Sequence, residues 1–172
     1  MSKIIMITGG QRSGKSEEAE RLALSLSERP VYLATAQVLD EEMRHRVILH
    51  QQRRGPQWTN IEEPLHLSQH DLNGRVVLID CLTLWLTNMF FDETYDGDVE
   101  RVLQAAKEEF DRLAGQDATL IVVTNEIGLG GTSENALQRR FTDLQGWMNQ
   151  YVAKQADEVV LMVSGIPLKV KS

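Results

Sequence analysis

The segment Gly9-Gly10-Gln11-Arg12-Ser13-Gly14-Lys15-Ser16 constrains this chain more than any other. It fits the pattern G-x-x-x-x-G-K-[ST], and it stands between an apolar run, Lys3–Thr8, and an amphipathic stretch, Ser16–Glu28. A strand before and a helix after are the context in which such a loop holds phosphate. Glycines let the backbone curl so that successive N–H groups point inward, and the helix N-terminus adds partial positive charge. In that arrangement Lys15 reaches the β and γ phosphates and the Ser16 hydroxyl ligates Mg2+. The plainer alternative, a Gly-rich turn with an incidental lysine, does not account for the flanking strand and helix. The segment therefore predicts a nucleoside triphosphate site built on a strand, a loop and a helix.

The rest of the chain alternates in the same way. Val31–Thr35, Arg75–Asp80, Thr119–Thr124 and Glu158–Ser164 read as further strands, with Ile166–Val170 as a short edge strand. These runs are continuously apolar, the pattern of a parallel sheet covered on both faces. Helices are expected over Ser16–Glu28, from Asp40 to about Arg54, over Leu82–Phe91, from Asp98 to about Leu113, and from about Glu134 to Gln155. Asp40 is placed to cap its helix, with Glu41 and Glu42 in the first turn and Gly55-Pro56 as the stop. The expected fold class is α/β: a single P-loop NTPase-type domain over residues 1–172, its mostly parallel sheet carrying helices on both faces. A length of 172 residues with 42% apolar and 25% charged side chains fits one compact domain.

Composition excludes several classes of function. Eighteen basic against 25 acidic residues give a formal charge of −7, which argues against wrapping nucleic acid. No apolar run has the length of a membrane span, and the opening residues have no signal-peptide apolar region, so a cytoplasmic protein is expected. The single cysteine, Cys81, excludes an internal disulfide framework and a Cys-rich zinc site.

Two further features bear on chemistry. Asp80 ends an apolar strand at the carboxyl edge where α/β sheets place ligands, so it is a candidate for Mg2+ or for capping the helix from Leu82. A GTPase switch is disfavoured: Asn125-Glu126-Ile127-Gly128 stands where a base-reading Asn-Lys-x-Asp would be needed. On the helix from Asp40, Arg46, His50 and Arg53 share one stripe and Arg54 lies four residues beyond His50. An imidazole between guanidiniums suits a phosphate, and histidine can form covalent intermediates. Met43, Val47 and His50 also make an apolar stripe, and by spacing alone a structural role for His50 is the favoured reading.

A resemblance changes that balance. Gly9–Ser16 is followed by Tyr32-Leu33-Ala34-Thr35-Ala36, by Asp40-Glu41-Glu42-Met43, by Arg46-Val47 and His50, by Trp58-Thr59, and by Glu62-Glu63-Pro64. Thr124–Gly128, Arg140-Phe141, Asp143, Gly146, Asn149-Gln150 and Val163–Lys169 complete the order. Over nearly its whole length the chain resembles the bifunctional adenosylcobinamide kinase / adenosylcobinamide-phosphate guanylyltransferase family of cobalamin biosynthesis. The resemblance implies two reactions. Adenosylcobinamide is phosphorylated with ATP or GTP. GMP then passes from GTP, through a guanylyl-histidine intermediate, to adenosylcobinamide phosphate, giving adenosylcobinamide-GDP.

By the same match His50 is the guanylylated residue, and Gly9, Gly10, Gln11, Arg12, Ser13, Gly14, Lys15, Ser16, Ala34, Thr35, Ala36, Gln51, Gln52, Arg53, Arg54, Glu62 and Asp80 contact nucleotide. Lys15 joins His50 as catalytic, and Ser16 and Asp80 are the Mg2+ candidates. The family forms trimers, which implies a homotrimer. Thr142 and the Thr132-Ser133 turn depart from the family's usual arginine and proline. The rival readings are a P-loop small-molecule kinase without guanylyltransferase activity and a non-catalytic nucleotide-binding module. Trp85, Met89, Phe90 and Phe91 are read as core, with a subunit interface or a surface for the corrinoid ring as the alternative; Glu126 and Gly128, Gly130 and Gly131 are read as either an active-site loop or a flexible one.

Overall fold

The computed structural model describes residues 1–172. Seven strands form one sheet: β1 (Lys3–Gly9), β2 (Val31–Ala34), β3 (Thr59–Glu62), β4 (Val76–Asp80), β5 (Thr119–Asn125), β6 (Glu158–Val163) and β7 (Ile166–Lys171). Their order across the sheet is β3-β2-β4-β5-β1-β6-β7. All pairings are parallel except that of β6 with β7, which is antiparallel. The chain also forms five α-helices, α1 (Lys15–Leu26), α2 (Glu41–Arg54), α3 (Leu82–Phe90), α4 (Val99–Ala114) and α5 (Ala136–Gln155), and two short 3-10 helices, Leu67–Gln69 and Ile127–Gly130.

The central strands have no polar face because both of their faces are buried. Ile4, Met6, Val77, Ile79, Leu120 and Val122 pack with α3, α4 and α5 around Trp85, Phe90 and Phe110. Ile5, Ile7, Leu78, Ile121 and Val123 point the other way, onto Ala19 and Ala23 of α1. Trp85 is fully buried, and its indole N–H donates to the Leu65 carbonyl at 2.9 Å. Phe91 breaks the expected apolar cluster: it is 63% exposed, because α3 ends at Phe90 and turns outward.

β3 is a strand that periodicity does not reveal. Thr59-Asn60-Ile61-Glu62 is polar and lies at the sheet edge, exposed except for Ile61, so no apolar run marks it. β7 is an edge strand as expected, reached through the two-residue turn Ser164-Gly165, both with positive φ. Asp40 caps α2, its carboxylate accepting from the Met43 N–H at 2.8 Å. α2 buries none of its residues. Met43 and Val47 are half-buried and His50 is exposed, so the apolar-stripe reading of this helix, and with it a core role for His50, does not hold. No helix is long and apolar enough to cross a membrane.

Candidate nucleotide site

The parallel register brings the chemistry to one edge. Gly9 pairs with Asn125 and Ala34 with Asp80, so the carboxyl ends of β1, β5, β2 and β4 lie side by side. The phosphate loop leaves the end of β1 and enters α1. Gly14 precedes the helix at φ +94°, a left-handed conformation that favours glycine, and a methyl group there would meet the Gly165 Cα at 3.2 Å. At Gly9 a methyl would come within 2.6 Å of the Ser13 hydroxyl and 2.9 Å of the Met162 carbonyl. The hairpin turn after β6 closes on the loop, the Gly165 N–H donating to the Ser13 carbonyl at 2.9 Å. The Lys15 ammonium folds inward and donates to the Gly10 carbonyl. Burial lowers the Lys15 pKa, against the opposing fields of Cys81 and Asp80.

Next to the loop lies a cavity of about 220 Å³. Its walls come from α1 (Ser16, Glu20), β2 and its exit (Tyr32, Ala34, Ala36), α2 (Val47, His50, Gln51, Arg53, Arg54), β3 (Asn60, Ile61, Glu62), and Asp80 and Leu84. Ser16 also borders the open cradle formed by Arg12, Ser13, Gly14, Lys15, Glu17, Ser164 and Gly165, so one residue lines both spaces. Of the residues expected from sequence, Ser16, Ala34, Ala36, His50, Gln51, Arg53, Arg54, Glu62 and Asp80 share this cavity.

Arg12, Ser13, Gly14 and Lys15 line the cradle instead, Gly9, Gly10 and Gln11 lie on the loop but line neither space, and Thr35 and Gln52 sit elsewhere. Gln52 is exposed on α2, one position off the cavity face. Thr35 is fully buried: its hydroxyl donates to the Cys81 carbonyl at 2.8 Å and accepts from the Cys81 N–H at 2.9 Å, so its side chain ties β2 to the end of β4. Arg46 turns outward to Glu42, at 2.7 Å, leaving Arg53 and Arg54 as the arginines beside His50.

Asp80 does not cap α3. That place belongs to Cys81, whose sulfur accepts from the Leu84 N–H at 3.4 Å, while burial pushes its thiol pKa up to about 11. Asp80 instead receives the Tyr32 hydroxyl. Burial, reinforced by the Asp80 charge, holds the Tyr32 phenol far above its usual range, so Tyr32 stays a donor. The Arg54 guanidinium stacks 3.5 Å over the Tyr32 ring and donates to Asn60 Oδ1 at 3.0 Å; its Nε is buried without a partner. Arg53 faces Glu20 at 3.8 Å, and burial raises the Glu20 carboxyl against the pull of both arginines. Arg44 holds Glu62 at 2.8 Å.

Sequence reasoning did not single out Glu20, Tyr32, Val47, Asn60, Ile61 or Leu84 for this wall. A signal existed for two of them. Glu20 lies four residues after Ser16 on α1, and Tyr32 alternates with the buried Val31 and Leu33 along β2, so both follow from period counting once the loop is placed.

A glycine loop from a buried inner strand into a helix, with a carboxylate at the end of a nearby parallel strand, defines a P-loop NTPase-type protein. Consistent with that class, the fold covers 98% of this chain and 78% of the flagellar accessory protein FlaH from Methanocaldococcus jannaschii, with a TM-score of 0.51 at 15% identity. Residues 5–170 match the family described as cobinamide kinase / cobinamide phosphate guanyltransferase, and the chain belongs to that family. It is 40% identical, over 96% of its own length and 96% of the relative's, to the bifunctional adenosylcobalamin biosynthesis protein CobP of Pseudomonas aeruginosa. It is 39% identical to the corresponding protein CobU of Escherichia coli, over 98% and 99% of the two lengths.

Proposed function

We propose that this chain is a bifunctional enzyme of cobalamin biosynthesis. It phosphorylates adenosylcobinamide with ATP or GTP, then transfers GMP from GTP to adenosylcobinamide phosphate. The observation that carries the reading is the meeting of His50 with Ser16 and Asp80 in one cavity, contiguous with the phosphate-loop cradle.

In the nucleotidyl half, an imidazole nitrogen of His50 attacks the α-phosphorus of GTP. An N–P bond forms, the bond from the α-phosphorus to the bridging oxygen breaks, and pyrophosphate leaves. An oxygen of adenosylcobinamide phosphate then attacks the same phosphorus, and the histidine is regenerated. Arg53 and Arg54 flank the ring and counter the charge on the phosphoryl oxygens. In the phosphoryl half, the loop N–H groups and Lys15 hold the γ-phosphate while the acceptor hydroxyl displaces the nucleoside diphosphate. Ser16 lines both spaces, which supports placing the two sets of groups in one site. Ser16 and Asp80, a hydroxyl and a carboxylate on one cavity wall, are the oxygen donors that fit Mg2+. A Mg2+ ion held there by Ser16 and Asp80 would supply charge neutralisation to the phosphate oxygens.

The working unit is a single domain spanning residues 1–172, acting in the cytoplasm as a homotrimer. The exposed apolar edge of β7, with Ile166, Leu168 and Val170, supports assembly.

The test uses purified protein, Mg2+ and GTP labelled at the α- or the γ-phosphate, with denaturation before counting. Acid-labile, alkali-stable label from the α position only, absent in His50→Ala, is the expected result. With GTP binding demonstrated, absence of α-label would reduce the protein to a γ-phosphate kinase or a nucleotide-binding module; cobinamide-dependent turnover separates the two.

A further inference from the structure

We propose that Glu126 accepts the proton of the substrate hydroxyl during phosphoryl transfer. This inference rests on the kinase half of the function proposed above, which leaves that proton without a destination.

The position of Glu126 is fixed by its neighbours. β5 lies beside β1, and Glu126 follows Asn125, the partner of Gly9. Its N–H donates to the Gly9 carbonyl at 3.0 Å, so the residue flanks the first turn of the phosphate loop, where the Lys15 ammonium meets the Gly10 carbonyl. One carboxylate oxygen, Oε1, accepts from the Thr8 hydroxyl at 2.7 Å. The other oxygen has no hydrogen bond within the protein, and no cationic side chain is paired with the carboxylate. Of the carboxylates on the neighbouring cavity wall, Glu20 and Glu62 are engaged by arginines and Asp80 by Tyr32, and the unpaired Glu17 on the cradle is exposed to solvent. A half-buried carboxylate with one oxygen unpaired and no cation beside it is free to take a hydrogen bond from a substrate hydroxyl.

Its support is rigid. Asn125 is held by the Thr83 hydroxyl, to which its N–H donates at 3.1 Å. Beneath it the buried Asn149 amide donates to the Asn125 carbonyl at 3.1 Å, and Gln145, Thr124 and Asn149 bond to one another in a closed set. Beyond Glu126 the chain opens. Gly128, Gly131 and Thr132, with Arg139, Arg140 and Asp143 of α5, border a space of about 630 Å³ that begins two residues beyond Glu126.

The step balances without another reactant. The acceptor oxygen bonds to the γ-phosphorus, the bond to the bridging oxygen breaks, and the nucleoside diphosphate leaves. The hydroxyl proton passes to the free oxygen of Glu126 and then to water.

The experiment follows transfer from γ-labelled ATP to adenosylcobinamide in wild type, Glu126→Gln and Glu126→Asp. The same preparations are loaded with α-labelled GTP, a reaction that consumes no hydroxyl proton. Glu126→Gln should lower kcat for γ-transfer by about 100- to 1,000-fold with the nucleotide KM within about threefold, while His50 still takes up α-label. Glu126→Asp should recover part of the rate. Gamma-transfer in Glu126→Gln within about threefold of wild type would overturn the assignment, as would parallel loss of α-label, which would mark a damaged loop. Wild type that binds ATP yet transfers no γ-phosphate to adenosylcobinamide would overturn the kinase reading itself, and this inference with it.

Discussion

The Tyr32 hydroxyl donates to Oδ2 of Asp80, across a pairing in which Asp80 is the register partner of Ala34 rather than of Tyr32. The phenol engages one carboxylate oxygen of Asp80, a residue that lines the cavity together with Ser16. Removing that hydroxyl frees the carboxylate to rotate. In Tyr32→Phe the ring under Arg54 is kept, so the expected change is confined to metal use: the Mg2+ concentration for half-maximal activity rises about tenfold or more. A Mg2+ titration of γ-transfer measures it, and an unchanged midpoint would show that Asp80 needs no orienting partner.

Lys15→Ala should lower both transfers by about 100-fold or more, since both reactions draw on the ammonium to offset phosphate charge. Stopped assays with α- and γ-labelled nucleotide read the two separately. Full retention of either would remove Lys15 from that reaction.

His50→Ala should abolish protein-bound α-label and leave stability within about 0.5 kcal/mol of wild type, because His50 is exposed on a helix that buries none of its residues. Urea unfolding of the variant is the check. A large loss of stability would reinstate a structural role.

Trp85 carries the opposite expectation. Its ring is fully enclosed and its N–H is bonded to Leu65, so Trp85→Ala should cost about 3–5 kcal/mol. The urea midpoint measures this, and a loss below about 1 kcal/mol would contradict the packing described.

Glu109 links acidity to stability. Burial pushes its carboxyl up, but the Ser68 N–H at 2.7 Å and Arg112 at 2.7 Å outweigh it, and the net shift is downward from the ordinary value of 4.5. With the folded pKa below the unfolded one, the stabilisation is fully present above the unfolded value and is lost as pH falls through the folded value. The stability difference between wild type and Glu109→Gln should therefore be constant near neutrality and shrink below pH 4.5. Urea midpoints taken as a function of pH report it; a difference that grows on acidification would reverse the sign.

Much of this was legible in the sequence. The spacing of Gly9, Gly14, Lys15 and Ser16, the apolar runs of the central strands and the Asp40 cap are local signals, set by backbone conformation and by burial on both sheet faces. β3 was not legible, because an edge strand that is exposed needs no apolar pattern. The capping of α3 by Cys81 rather than Asp80 was not legible either, since both side chains stand at the helix start and only the Tyr32 contact, from a strand 48 residues earlier, decides which is free.

The sequence by itself determined that a phosphate-binding loop sits between a buried strand and a helix, because glycine placement and apolar continuity act over a few residues. Only the tertiary structure decided which distant groups stand around that loop. Strand order and register bring β2, β4 and β5 to the same edge as β1, and they carry α2 with His50 to the cavity while leaving Gln52 outside it. Those placements follow from pairing between segments far apart in the chain, whose alignment is fixed by packing on both sheet faces rather than by local propensity.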